Sequence, residues 1–209
     1  MKKTNYLIAT ILMMLTIASC SSESAGDENI ANIKDITETL PSEARWNKII
    51  EDKDITYRVT SNRTEDTYTQ FSIMVEFNGS PETATTGTYP RLNKFAKADL
   101  NGDGHAELIF IGASERQPNN EQIYIWKLDN STSPKNLSLM ELPNLPMSYI
   151  EGMNGNNKFA VKPPYIERVI GYNLEDGNTA QKIVLLKVNE AGELKLYSID
   201  GELVTEVAF

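Results

Sequence analysis

A period-two alternation of apolar and polar residues governs what this 209-residue chain can become. Ile55, Tyr57 and Val59 fall on one side of their segment. Phe71, Ile73, Val75 and Phe77 repeat the pattern, with Gln70, Ser72 and Glu76 between them. Successive side chains of a strand point to opposite faces, whereas a helix returns to one face only every third or fourth residue. Further strand candidates are Phe95 to Ala98, Leu108 to Gly112, Ile123 to Leu128, Phe159 to Val161, Glu167 to Tyr172, Ile183 to Val188 and Leu194 to Ile199. Asn78-Gly79-Ser80-Pro81 and Asn189-Glu190-Ala191-Gly192 are turn signals between them. Leu142 to Asn157, with Pro143, Pro146, Gly152 and Gly155, reads as a connecting loop with one helical turn at most. Many short strands and few credible helices predict an all-β domain, an antiparallel β-sandwich or open barrel. The absence of an internal repeat argues against a propeller or solenoid.

Ile30 to Ile50 reads two ways. Ile33, Ile36 and Leu40 recur at near-helical spacing, Pro41 interrupts them, and Ala44 to Ile50 could form one or two helical turns, so a short N-terminal helical segment is one of the two readings there. Upstream, Lys2 and Lys3 precede an apolar stretch, Tyr6 to Ile17, which is shorter than the roughly 20 residues of a transmembrane helix. Ala18 and Ser19 then lead into Cys20, the only cysteine. That arrangement resembles the lipobox of bacterial lipoproteins; an ordinary secretory signal with an incidental cysteine is the alternative. The resemblance implies that 1–19 is a signal peptide and that Cys20 is the lipid anchor. Residues 20–29 then form a lipidated, flexible tether, and 30–209 a single β-rich domain. Several acyl chains on one residue give stable anchoring to a membrane. Ser21 in place of an aspartate after the cysteine favours the outer membrane of the cell envelope.

With Lys2 and Lys3 removed, 18 basic residues face 29 acidic ones, a formal charge of −11. No basic stripe appears, which argues against nucleic acid as a partner, since affinity for phosphate backbones comes from Lys and Arg. No phosphate-cradling or dinucleotide fingerprint is present, so no nucleotide cofactor is expected. One histidine and one lipid-committed cysteine leave no zinc ligand set and no thiol or Ser-His-Asp device outside His105. Paired carboxylates for glycoside hydrolysis stay open, because their pairing is spatial. The expectation is that the protein is not an enzyme.

Asp99-Leu100-Asn101-Gly102-Asp103-Gly104-His105-Ala106-Glu107 places oxygen-bearing side chains at alternate positions just before an apolar strand. On a curled loop, Asp99, Asn101, Asp103, the backbone carbonyl of His105 and Glu107 would surround a hard cation such as Ca²⁺ in a structural role. The twelfth position, a bidentate glutamate in an EF-hand, is Phe110 here, so this is not an EF-hand. The competing reading is a polar hairpin whose acids cap backbone amides.

KADLNGDGHAELIFIGAS followed by QIYIW, with ELPNLPMSYIEGMNGNNKFAV and VKPPYIERVIGYNLEDGNTAQKIVLLKV downstream, resembles the bacterial periplasmic inhibitors of invertebrate-type lysozymes and their small exported relatives. The likeness covers about half of the chain beyond Cys20 and lies in the order of the segments. It implies an all-β, sandwich-like domain that occupies a lysozyme's active-site cleft with a protruding loop. In the family that loop carries Ser-Gly-x-x-Tyr; the equivalent stretch here is Gly112 to Tyr124, where Glu115 and Arg116 follow Ser114. Ser114, Arg116, Asn119, Asn120 and Tyr124 are the partner-binding residues this implies, toward a lysozyme or another wall-active enzyme. A surface module for glycans or host components, using Ser114 to Gln122, is the alternative.

Overall fold

The computed structural model describes residues 33–43, 45–63, 68–129 and 131–203. Cys20, the signal peptide and the tether lie outside them. Fourteen strands and one helical turn follow in order: β1 Glu38–Thr39, β2 Arg45–Asp52, β3 Ile55–Arg63, β4 Tyr68–Phe77, β5 Ser80–Pro90, β6 Leu92–Ala98, β7 Glu107–Ala113, β8 Glu121–Asp129, β9 Asn136–Leu139, α1 Met147–Ile150, β10 Met153–Lys162, β11 Tyr165–Asn173, β12 Thr179–Val188, β13 Leu194–Ile199 and β14 Glu202–Leu203. All named strand pairings are antiparallel. They form three sheets, β1-β6-β7-β8-β9, β2-β3-β4-β5 and β10-β11-β12-β13-β14. No helix among the described residues is long and apolar enough to cross a membrane.

The sandwich expectation is realised with a third layer, and β7 explains why. Every residue of Glu107–Ala113 is buried. Leu108 and Phe110 share a core with Trp46, Tyr57, Phe71 and Ile73 of the β2–β5 sheet. Ile109 and Ile111 share the other core with Val161, Ile166, Ile170 and Val184 of the β10–β14 sheet. A strand covered on both faces must be apolar at consecutive positions, which is why Leu108-Ile109-Phe110-Ile111 does not alternate. β8 is divided the same way: Ile123 and Ile125 belong to one core, Trp126 and Leu128 to the other. Both tryptophans are therefore packing residues, Trp46 8% and Trp126 6% exposed. Phe71 and Phe110 meet edge to face at 4.7 Å across one interface, the arrangement that ring quadrupoles favour.

The helical segment expected within 30–50 is not found among its described residues, which hold β1 and β2 instead. The near-helical spacing has another origin, since its members serve different partners. Leu40 is buried in the core beside β2, while the backbone N–H of Ile36 donates to the carbonyl of Val161 on β10 at 2.9 Å. From Arg45 onward burial alternates, with Trp46 and Ile50 inward and Asn47 and Ile49 outward. The helical turn lies at Met147–Ile150, inside the stretch read as a connecting loop, but that loop ends at Gly152, because Met153 to Asn157 already belong to β10 and pair with β11.

One strand, β5, carries no apolar alternation. β5 reads SPETATTGTYP, and its threonines suit the half-buried pleated surface that it makes against β4. Gly87 lies opposite Phe71, and a Cβ there would fall 2.6 Å from the Tyr89 ring. The missing side chain lets Tyr89 lie over its own strand and meet Phe71 at 5.8 Å. β9 contributes mainly Leu137 to the core.

Candidate functional site

The acidic loop joins β6 to β7, and the stretch expected to bind a partner joins β7 to β8. Except for Tyr124, which pairs with Phe110 at the middle of β7, the two sets of candidate residues therefore stand at opposite ends of one buried seven-residue strand, about 20 Å apart at the rise of a β-strand. The structure does not bring them together.

In the acidic loop the side chains are drawn onto the loop's own amides. Asp99 accepts from Gly102 N at 2.7 Å through Oδ1 and from Gly104 N at 2.8 Å through Oδ2. Asn101 Oδ1 accepts from Asp103 N at 2.8 Å, and Asp103 Oδ1 from His105 N at 2.7 Å. Gly102 and Gly104 supply the positive φ values, 75° and 87°, that so tight a succession of Asx turns requires. The Lys53 ammonium lies against Gly104, close enough that a Cβ there would come within 2.8 Å of Nζ. Among the described residues no three Asp, Glu, His or Cys side chains converge as a ligand set. Each N–H bond leaves a carboxylate oxygen with a further lone pair, so the loop holds its acids in place without exhausting them.

Glu107 closes the loop from below. It is 2% exposed, and Oε2 accepts from Leu100 N at 2.7 Å. Burial pushes its carboxyl up to about 7, with the Leu100 bond opposing and the charges of Asp103 and Asp99 adding to the rise. Next to it, Asp52 Oδ2 accepts from Ala106 N at 3.0 Å and lies 3.7 Å from His105 Nδ1. Tyr57 is 1% exposed, and its hydroxyl is buried without a hydrogen-bond partner. Its proton is held far above the ordinary phenol range by burial and by the charges of Asp52, Glu107 and Asp103.

The β7–β8 connection is an ordered projection. Glu115, Arg116, Gln117, Pro118 and Asn119 are consecutively exposed. Behind them, Gln117 N donates to both the carbonyl and the hydroxyl of Ser114, at 3.0 and 3.1 Å, and Asn120 N donates to Gln117 O at 3.0 Å. Arg91 reaches Glu115 at 3.4 Å. Arg116 stands exposed in the turn between Glu115 and Gln117. Tyr124 lies farther along β8, half-buried, with its ring 4.6 Å from Tyr89 and its hydroxyl donating to Gln122 at 2.6 Å. Burial pushes its phenol up to about 12. It is part of the packing between sheets more than of the projection.

A polar network behind the loop was not anticipated. Asn157 on β10 is buried; its N–H donates to Asn119 O at 2.9 Å and its Nδ2 to Asn120 Oδ1 at 2.7 Å. Arg168 donates from Nε and Nη2 to Asn157 Oδ1 at 3.0 and 2.9 Å. Glu121, 5% exposed, accepts from Lys94 Nζ and from Phe159 N, both at 2.8 Å. Farther along the same strand Val161 N donates to Asp35 at 3.1 Å. Asn119, Glu121 and Asp35 thus satisfy three successive outward amides of edge strand β10, as the edge of a sheet demands. One signal in the sequence pointed here: Glu121 is in phase with Ile123 and Ile125, an acid on an apolar face.

No protein-family model, curated protein or solved structure matches the chain.

Proposed function

We propose that the protein is a lipid-anchored, non-enzymatic binding module of the cell envelope that offers the β7–β8 loop to a lysozyme or similar wall-active enzyme. The observation that carries this reading is the projection itself. Five exposed residues are pinned at their base by Ser114, Asn120 and Asn157 to a fully buried strand. A loop ordered before it binds loses little conformational entropy on docking. Arg116 is a planar, permanently charged donor that matches a carboxylate in two places, which suits an acidic catalytic cleft. β1 runs antiparallel to β6, Glu38 opposite Phe95 and Thr39 opposite Lys94. The chain therefore enters β1 from the acidic-loop side of that sheet. The outer membrane is the bilayer proposed for it.

In the same reading, Ca²⁺ would be held by Asp99, Asn101, Asp103, the His105 carbonyl and Glu107, as a structural ion of the weak class found in extracellular modules. What supports it is the prior placement of Asp99, Asn101 and Asp103 by loop amides. The functional reading is tested by titrating the purified full chain into invertebrate-type and other lysozymes. Stoichiometric loss of cell-wall lysis is expected with at least one of them. Unchanged lysis at micromolar excess throughout the panel ends the proposal.

A further inference from the structure

Arg168 occupies a position that core residues hold on either side of it. In β11 it is in phase with Ile166 and Ile170, both fully buried in the core that also takes Ile109 and Ile111 of β7. Val184, its partner across β12, is buried there too. A permanent charge on such a face calls for a counter-charge, because burying an unpaired ion is costly. Acids are not scarce, with 29 against 20 basic residues in the chain. Yet among the described residues Arg168 makes no ion pair, and its hydrogen bonds go to one neutral atom, Asn157 Oδ1, from Nε and Nη2. Burial works against the guanidinium charge.

The two bonds to Asn157 close one side of the guanidinium. Nη1 and the outer N–H of Nη2 are left over, a parallel pair of donors whose spacing matches the two oxygens of a carboxylate. Asn157, itself 6% exposed, and the Phe159 ring, 5.6 Å from the guanidinium carbon, fix the direction of that pair. Arg168 keeps part of its surface in solvent, and Nη1 is not closed off from it. A second cation stands on the same face. Lys182 lies opposite Ile170 and two residues from Val184, a diagonal neighbour of Arg168 within reach of long side chains. Its ammonium rests on the rings of Tyr149 and Tyr172, at 4.6 and 4.8 Å, and it too makes no ion pair among the described residues. The Tyr172 hydroxyl donates to the Tyr149 carbonyl, tying the two ring-bearing segments together. Asp200, an acid whose charge reaches Tyr172, accepts from Ile183 N at 2.8 Å and does not pair with Lys182. Two unpaired cations among aromatic rings suit one anionic group carried on an apolar body.

We propose that Arg168 and Lys182 form a binding site for an organic carboxylate. Its two oxygens meet the free donor pair of Arg168, its charge faces Lys182, and its apolar body packs against Tyr149 and Tyr172.

The test is titration of the full chain with N-acetylphenylalanine, its uncharged amide and phenyl phosphate, following the side-chain Nε–H signal of Arg168 by NMR. The expected result is a saturable shift of that signal with N-acetylphenylalanine and none with the amide. Binding should weaken about tenfold in Lys182→Gln, which removes a partly exposed charge and should melt like the parent chain. Absence of a saturable shift at Arg168 up to about 10 mM, or equal affinity in Lys182→Gln, overturns the site. Equal or tighter binding of the amide or of phenyl phosphate overturns the assigned ligand class.

Discussion

The backbone N–H of Leu100 donates to the buried carboxylate of Glu107 at 2.7 Å, so the two ends of the acidic loop are held by a group that water barely reaches. This contact links the loop's geometry to pH. The Glu107 carboxyl is raised to about 7, well above its ordinary value. Between the ordinary carboxylate range and about pH 7, the folded state keeps a proton that the unfolded chain has released. The stability this group contributes is therefore full in acid and lost as pH rises through about 7. In chelator, Glu107→Gln should melt progressively higher relative to the parent chain between about pH 5 and pH 8. Parallel melting curves for the two proteins over that interval would contradict the assignment.

Phe110 is the joint between two sheets, with Phe71 at 4.7 Å and Phe95 at 5.0 Å. Phe110→Ala should destabilise the domain by about 3–5 kcal/mol, as large-to-small changes in a closed core do. Ile109→Val, on the opposite face of the same strand, should cost about 0.5–1.5 kcal/mol. Urea unfolding measures both. A Phe110→Ala cost as small as that of Ile109→Val would mean that the aromatic interface is not part of the core.

Asn157 holds the base of the β7–β8 loop, whereas Arg116 stands in the loop itself. Asn157→Ala removes the Nδ2 donor to Asn120 Oδ1 and the Oδ1 acceptor of the Arg168 guanidinium. Amide exchange at Asn119 and Asn120 should accelerate, and stability should fall by about 1–3 kcal/mol. Arg116→Ala should leave stability within about 0.5 kcal/mol, as exposed sites usually do. Equal effects of the two substitutions on loop exchange would refute the distinction.

For the acidic loop, thermal melts in Ca²⁺ and in chelator are decisive. An ion at 100 times its dissociation constant, binding the folded state alone, adds about 2.7 kcal/mol. The parent chain should gain stability with Ca²⁺, and Asp103→Ala should not. Identical melts of the parent chain in the two buffers would reduce the loop to a capped turn.

Much of the architecture is readable in the residues. Ile55, Tyr57 and Val59 alternate because one face of β3 is covered, and Leu108 to Ile111 do not because both faces of β7 are. That second pattern contained the third layer. A continuous apolar run, however, names a doubly covered strand without saying what covers it. Ile36 and Leu40 mimicked a helix because spacing cannot reveal that two neighbours serve different sheets. β5 was silent, since Thr83, Thr85 and Gly87 give no hydrophobic period. The acidic loop and the capping of its own amides were both legible, but spacing alone does not say which amides claim Asp99 and Asp103. Asn157 and Arg168 were beyond reach, because their meeting with Asn120 depends on how one sheet lies over another.

The central proposal is that Arg116 and its loop enter a lytic enzyme's cleft. Its most direct test is the inhibition constant of the full chain and of Arg116→Ala against the same lysozyme. Tight inhibition by the parent chain, weakened by about tenfold or more in Arg116→Ala with unchanged melting, is the predicted result. Inhibition of equal strength by both proteins, or by neither, would contradict it.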